Sequence, residues 1–190
     1  MDQHNSVYAS FFWLAAFLLS LSACQPLDFN QSTKIDKRIS SPIVQKIYEL
    51  QDQQEVDSLL PLLSDKNATK RYWATLAFAS IKDKSVVDTL ATLLNDPIAD
   101  IRTVAAYALG QIGKEEAQTA LVNAFDQSDT TGQFNKAILE AIGKLGDAEN
   151  LELISSVQSY QPNDTTLIEG QALSIYRYML RGITSLNGTK

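Results

Sequence analysis

The sequence predicts an all-α fold, a short α-solenoid of about four helix pairs with an N-terminal capping helix. Three observations carry that expectation. The chain resembles itself at offsets of 31 and then 33 residues, apolar residues recur at helical spacing inside each copy, and glycines fall where helices must end. The composition agrees: 190 residues, 45% hydrophobic and 20% charged, with only 8 Gly and 5 Pro. Two similar glycine pairs, in "AAYALGQIG" (105–113) and "ILEAIGKLG" (138–146), could each be read as a ligand-holding loop. Duplication within a chain of this size favours a structural unit, and neither a GxxxxGK nor a GxGxxG pattern occurs.

The elements follow in order. "SPIVQKIYELQD" opens with Ser41 as N-cap and Pro42 at the first helical position, and forms the cap. The first repeat, "LLSDKNATKRYWATLAFASIKD" (62–83), pairs with "LLNDPIADIRTVAAYALGQIGK" (93–114) in the second. Asp65 meets Asp96, Arg71 meets Arg102, Ala74 meets Ala105, and Phe78 meets Leu109. Each repeat reads as a short A helix and a longer B helix. In the second, "VVDTLATLLND" puts Val86, Val87, Leu90, Leu93 and Leu94 on one stripe. "IADIRTVAAYALGQIG" turns Ile101, Ala105, Ala108, Leu109 and Ile112 inward, and Gly113 supplies a left-handed stop.

In the third repeat Asn135 stands in place of the arginine and Gly146 repeats the stop. Gly110 and Gly143 lie one turn earlier, where Ala79 stands in the first copy, as if a neighbouring helix passed close. A degenerate fourth repeat starts at Ala148, with Leu151, Leu153 and Ile154 on its A helix. The loop "SYQPNDTT" then leads to a B helix, "LIEGQALSIYRYMLRGI".

With these residues in place, "NDPIADIRTVAAYALGQIGK" resembles a HEAT repeat of the phycobilin-lyase-like type, and the resemblance runs from about residue 55 to 183. It implies HEAT-like helix pairs and a partner surface on the concave B-helix face. It implies no chemistry, since such arrays serve many partners.

The first residues read as a leader. "SFFWLAAFLLSLSAC" holds an apolar run, Phe11 to Leu21, short of the ~20 residues of a membrane span. "LSAC" resembles the bacterial lipoprotein box, which implies cleavage before Cys24, lipid on that cysteine, and an outer-membrane address facing the periplasm because Gln25 follows. The domains expected are therefore a lipoprotein signal peptide (1–23), a flexible tether (24–40), the solenoid (41–183) and a C-terminal tail (184–190).

Cleavage would remove His4, the one histidine, and leave the one cysteine acylated. Cys–His and Ser–His–Asp nucleophilic catalysis and His-ligated metal sites are then excluded, and no cofactor is expected. Loss of Asp2 leaves 21 of the 22 acidic residues against 16 basic ones, a net of −5. That balance argues against nucleic acid as a partner.

What remains is binding. Asp65/Arg71 and Asp96/Arg102 recur with the repeat, and are better read as a structural ladder between repeats than as an anion site. The B-helix positions outside the core form rows: Tyr72, Leu76, Thr103, Tyr107, Gln111, Lys136, Glu140 and Lys144. They suit a protein or peptide partner of unknown identity, with a merely solvated face as the other reading. On the last helix, Tyr176, Met179, Leu180 and Ile183 either turn inward or meet further chain in a longer parent. "DTT" at 129–131 and 164–166, expected in loops, resembles a bacterial O-glycosylation motif, and Asn67, Asn163 and Asn187 open N-x-Thr sequons that matter only in hosts with that machinery.

The leading expectation is a non-catalytic, lipid-anchored binding scaffold. Its rivals are a lyase-like HEAT protein and the HEAT portion of a larger enzyme, such as a cyclophilin-type prolyl isomerase lipoprotein. A HEAT-type di-iron hydroxylase would need histidine ligands that the mature chain lacks.

Overall fold

The computed structural model describes residues 34–113, 115–126, 132–146, 150–157 and 165–187, with side chains through Leu180. They belong to one unit that begins at Ser32. Cys24 and the rest of the expected leader, the "DTT" at 129–131 and Asn163 lie outside the described residues.

The described residues form an all-α solenoid without strands. The cap, α1, spans Pro42–Asp52. Helix α2 (Val56–Leu59) runs on into a 3-10 turn, Leu60–Ser64, and pairs with α3 (Ala68–Ile81). Helix α4 (Val87–Thr92) pairs with α5 (Ala99–Ile112), α6 (Ala117–Ala124) with α7 (Gln133–Leu145), and α8 (Leu151–Ser156) with α9 (Thr165–Asn187). The B helices α3, α5, α7 and α9 pack directly on one another in sequence order, and α1 packs on α3 as the first member of that row.

The inward stripes are those expected. Val86, Val87, Leu90, Leu93 and Leu94 are buried, as are Ile101, Ala105, Ala108, Leu109 and Ile112. Each fully buried Leu, Ile or Phe side chain contributes about 1.5–3 kcal/mol relative to exposure. The A element of the second repeat is broken, however: 3-10 turns at Lys84–Val86 and Leu93–Asn95 flank α4. The tighter winding lets Val86, Leu93 and Leu94 all reach the core from a very short element.

Helices end as the glycines require. Gly113 and Gly146 have φ of 71° and 75°, and each donates its amide to a carbonyl four residues back, Leu109 and Ile142. In the first repeat Lys82 holds the same place at φ 61°. Gly110 and Gly143 serve the contact between B helices. A Cβ on Gly110 would lie 2.7 Å from Cα of Ala141, and one on Gly143 would lie 2.6 Å from Cα of Ser174. A small-residue ladder thus brings α5 against α7 and α7 against α9.

The aspartates and arginines also do structural work between repeats. Arg71 grips Asp96 with two bonds, Nε to Oδ2 at 2.8 Å and Nη2 to Oδ1 at 3.2 Å, while its Nη1 donates to the Asp65 carbonyl at 2.9 Å. Arg102 Nη1 donates in the same way to the Asp96 carbonyl at 2.9 Å, and its guanidinium lies over the Phe134 ring. Asn135, at the arginine position of the third repeat, exchanges two bonds with the backbone of Asp126. These two bonds tie the amide to the loop before α7.

Three details depart from expectation. The span assigned to a tether is docked in its last part. The Asp36 amide donates to Thr69 Oγ1 and the Trp73 indole to the Asp36 carbonyl, both at 2.8 Å, while Lys37 bridges to Asp100 at 2.8 Å. Ser41 precedes α1 but its hydroxyl does not cap it. Helix α9 begins at Thr165 and continues to Asn187, so Thr165 and Thr166 are helical and the helix runs past residue 183. Of the two readings open for the end of that helix, the inward one does not hold for Tyr176, Met179 and Leu180, which are exposed.

Candidate functional site

The B-helix rows named from the sequence divide into a covered end and an open middle. At the covered end, Tyr72 and Leu76 on α3 are half-buried and pack against the core. Tyr72 meets Trp73 edge-on at 5.5 Å between ring centroids, and the Lys37 ammonium sits 5.5 Å from the Tyr72 ring centre. The segment around Asp36 and Lys37 therefore crosses this end of the face. Tyr72 and Leu76 thus form the covered part of the rows, and the covering element is the chain's own N-terminal segment.

The middle is open. Thr103, Val104 and Tyr107 on α5 and Lys136, Glu140 and Lys144 on α7 line a cavity of about 250 Å³. Their meeting follows from the repeat. Positions 103 and 136, and 107 and 140, are equivalent in successive B helices, and the ladder that seats α7 on α5 sets those rows side by side. Val104, Ala137 and Ala141 form the apolar floor, and Gln133 stands at one end. Tyr107 is 42% exposed. Thr103 turns its hydroxyl back to the Ala99 carbonyl at 3.0 Å, so it contributes its methyl more than a free donor. Gln111 lies outside the cavity, in a neighbouring depression with Gly110, Gly113 and Gly143 that Lys144 and Arg177 border.

The charges of the cavity are organised from α9. Lys136 pairs with Glu169 at 2.8 Å. Arg177 Nη1 donates to the Glu140 carboxylate at 3.0 Å and to the Glu140 carbonyl at 3.3 Å. Lys144 differs: its ammonium lies 5.0 Å from the Tyr107 ring centre and joins no ion pair among the described residues. Burial pushes the pKa of Lys144 down, and the nearby Arg177 and Lys82 cations push it the same way against the pull of Glu140.

Glu169 and Arg177 were not among the residues singled out from the sequence, yet a signal for them exists. Adding 33 to 136 and 144 gives 169 and 177, so both continue the rows into the fourth repeat. That repeat is degenerate in its core residues, which hides its register.

The arrangement offers a shallow apolar floor, one aromatic wall and charged side chains around it. Among the described residues no group of His, Cys, Asp and Glu is placed to hold a metal, and no helix is long and apolar enough to cross a membrane. A search of curated proteins gives no match to the chain. Residues 56–133, from the first A helix to the start of α7, match the family model for HEAT repeats, in keeping with the all-α solenoid of the described residues.

Proposed function

We propose that the protein is a non-catalytic binding scaffold that holds a protein partner on its B-helix face, over the cavity between α5 and α7. The observation that carries this reading is the convergence of Thr103, Tyr107, Lys136, Glu140 and Lys144 around one opening. A surface with an exposed aromatic over an apolar floor, rimmed by charges, has the make-up of a protein contact. The opposite side, built by the short A helices, offers no comparable cluster of aromatic and charged groups in the described residues.

The scaffold is lipid-anchored to the cell envelope through Cys24 and works at the periplasmic side of the outer membrane. The support for this part is the sequence "LSAC" behind an apolar run, with Gln25 following. A single acyl chain anchors only marginally, so two or more are expected on the cysteine. Mass spectrometry of the N-terminal peptide decides it: a diacylated or triacylated Cys24 is expected, and an intact Met1 with a free thiol refutes the anchor.

The binding face is tested by site-specific photo-crosslinking in native membranes. A photoreactive residue at position 107 or 140 is expected to trap one defined partner band, and the same residue at Asp88 or Thr119 on the A helices is not. Equal trapping from both sides, or trapping from the A side alone, sinks the reading.

A further inference from the structure

We infer that the cavity between α5 and α7 recognises an acidic peptide segment, whose carboxylate meets Lys144 and whose neighbouring side chain packs on Tyr107 and the alanine floor. The inference rests on the B-helix face being the partner surface, and it names the partner's chemistry.

Charge is the first ground. The overall chain is net −6, yet the ionic groups around this opening are predominantly basic. Lys136 is matched by Glu169 and Glu140 by Arg177. Among the described residues Lys144 is left over, a half-buried cation with a ring on one side and two further cations, Lys82 and Arg177, close by. A carboxylate placed there gains a charge-assisted bond and relieves the crowding of like charges.

Size is the second ground. A cavity of about 250 Å³ falls below the roughly 300–1,000 Å³ of pockets that enclose whole small molecules. It suits a side chain or two of a longer ligand.

The third ground is what the same face already holds. The chain's own Asp36–Lys37 segment lies against α3 through an Asp36 main-chain donor to Thr69, a main-chain acceptor for Trp73, and the Lys37 side chain over Tyr72. An extended peptide is therefore a ligand shape this face accommodates. A nucleic acid fits less well, because one cavity lysine without an ion pair among the described residues neutralises little phosphate on an acidic protein.

The test uses the full chain in detergent micelles. Random octapeptides displayed on phage are panned against it, and the selected peptides are made with a fluorescein label for anisotropy titration. Asp or Glu beside an apolar residue is expected in the selected set. Changing the acid to its amide should weaken binding about tenfold, as loss of a charged hydrogen bond does. Lys144→Gln should cause the same loss, Lys144→Arg should restore most of it, and added salt should weaken only the acidic peptide. Circular dichroism on each variant shows that the fold is kept.

Selected peptides without acids, acidic peptides that bind Lys144→Gln as tightly as the parent, displacement by an octathymidylate, or no selection at all would each overturn the inference. Peptides without acids that lose affinity on Tyr107→Ala would leave the B-helix face standing while the acidic assignment falls. Peptides indifferent to both changes would remove both.

Discussion

Two positions show how a single backbone angle or one missing atom sets the cost of a residue. Lys82 occupies the left-handed stop that Gly113 and Gly146 occupy in the later repeats, at φ 61°. An L-residue there carries a penalty of about 1–2 kcal/mol, part of which glycine returns to the unfolded state as added chain freedom. Lys82→Gly is therefore expected to stabilise the protein by up to about 1 kcal/mol in chemical denaturation. A loss of stability would show that the side chain itself holds the turn. Gly110→Ala should act in the opposite sense. Its new Cβ would sit 2.7 Å from both Cα and Cβ of Ala141, and backbone atoms cannot swing aside, so α5 and α7 must separate. A cost of about 1–3 kcal/mol is expected, and an unchanged denaturation midpoint would contradict the ladder. Both positions were legible in the sequence, because the 31- and 33-residue offsets set Lys82 on Gly113 and Gly110 on Gly143. What the offsets cannot give is the partner atom across the gap.

Among the elements, the regular ones were readable and the irregular ones were not. The B helices declare themselves by apolar spacing, and their core residues are the ones buried. The docked segment around Asp36 has no such signature. It is too short for a period, and it is held by isolated polar atoms on Thr69 and Trp73 rather than by a stripe. Its charges nevertheless define when it stays in place. The Arg38 guanidinium, then the Arg38 amide, with help from Ser41, hold the Asp36 carboxyl far below its usual range. The bond to Asp100 raises the Lys37 pKa. A depressed carboxyl contributes stability that is present above its unfolded value, about 3.9, and is lost as pH falls through the folded value. A raised lysine contributes below its unfolded value, about 10.4, and that contribution is lost as pH rises through the folded one. The segment should therefore stay docked on a plateau from about pH 4 to about pH 10. Trp73 reports it directly, since its indole donates to Asp36. With Trp13 absent, through loss of the proposed leader or by Trp13→Phe in an uncleaved chain, the Trp73 emission should be flat across that plateau and shift at the two ends. A transition near neutral pH would mean that other groups control the docking.

At the scale of the whole described array, stability should be graded along the row, because each helix pair is supported by its neighbours in the stack. Helix α5 is flanked by α3 and α7, and its Ile101, Ala105, Ala106, Ala108 and Leu109 have no exposure at all. Helix α9 packs chiefly on α7, and less on α8, and exposes Ile168, Leu173, Tyr176, Met179 and Leu180. The repeat register explains part of that exposure. Tyr176 stands 33 residues after Gly143, at the position where earlier B helices keep a glycine so that the next helix can approach. A bulky ring there does not offer the close approach that Gly110 and Gly143 offer. The sequence showed the apolar character of this helix but not which way it faced, because orientation depends on how α7 receives Ser174 and Gly170. Amide hydrogen exchange resolves the gradient. Slowest exchange is expected in α5 and the adjoining turns of α3 and α7, with α1 and α9 opening at lower free energy as separate end units. If α9 exchanges as slowly as α5, the array unfolds as one cooperative body, and the exposed face of α9 must then be covered in solution.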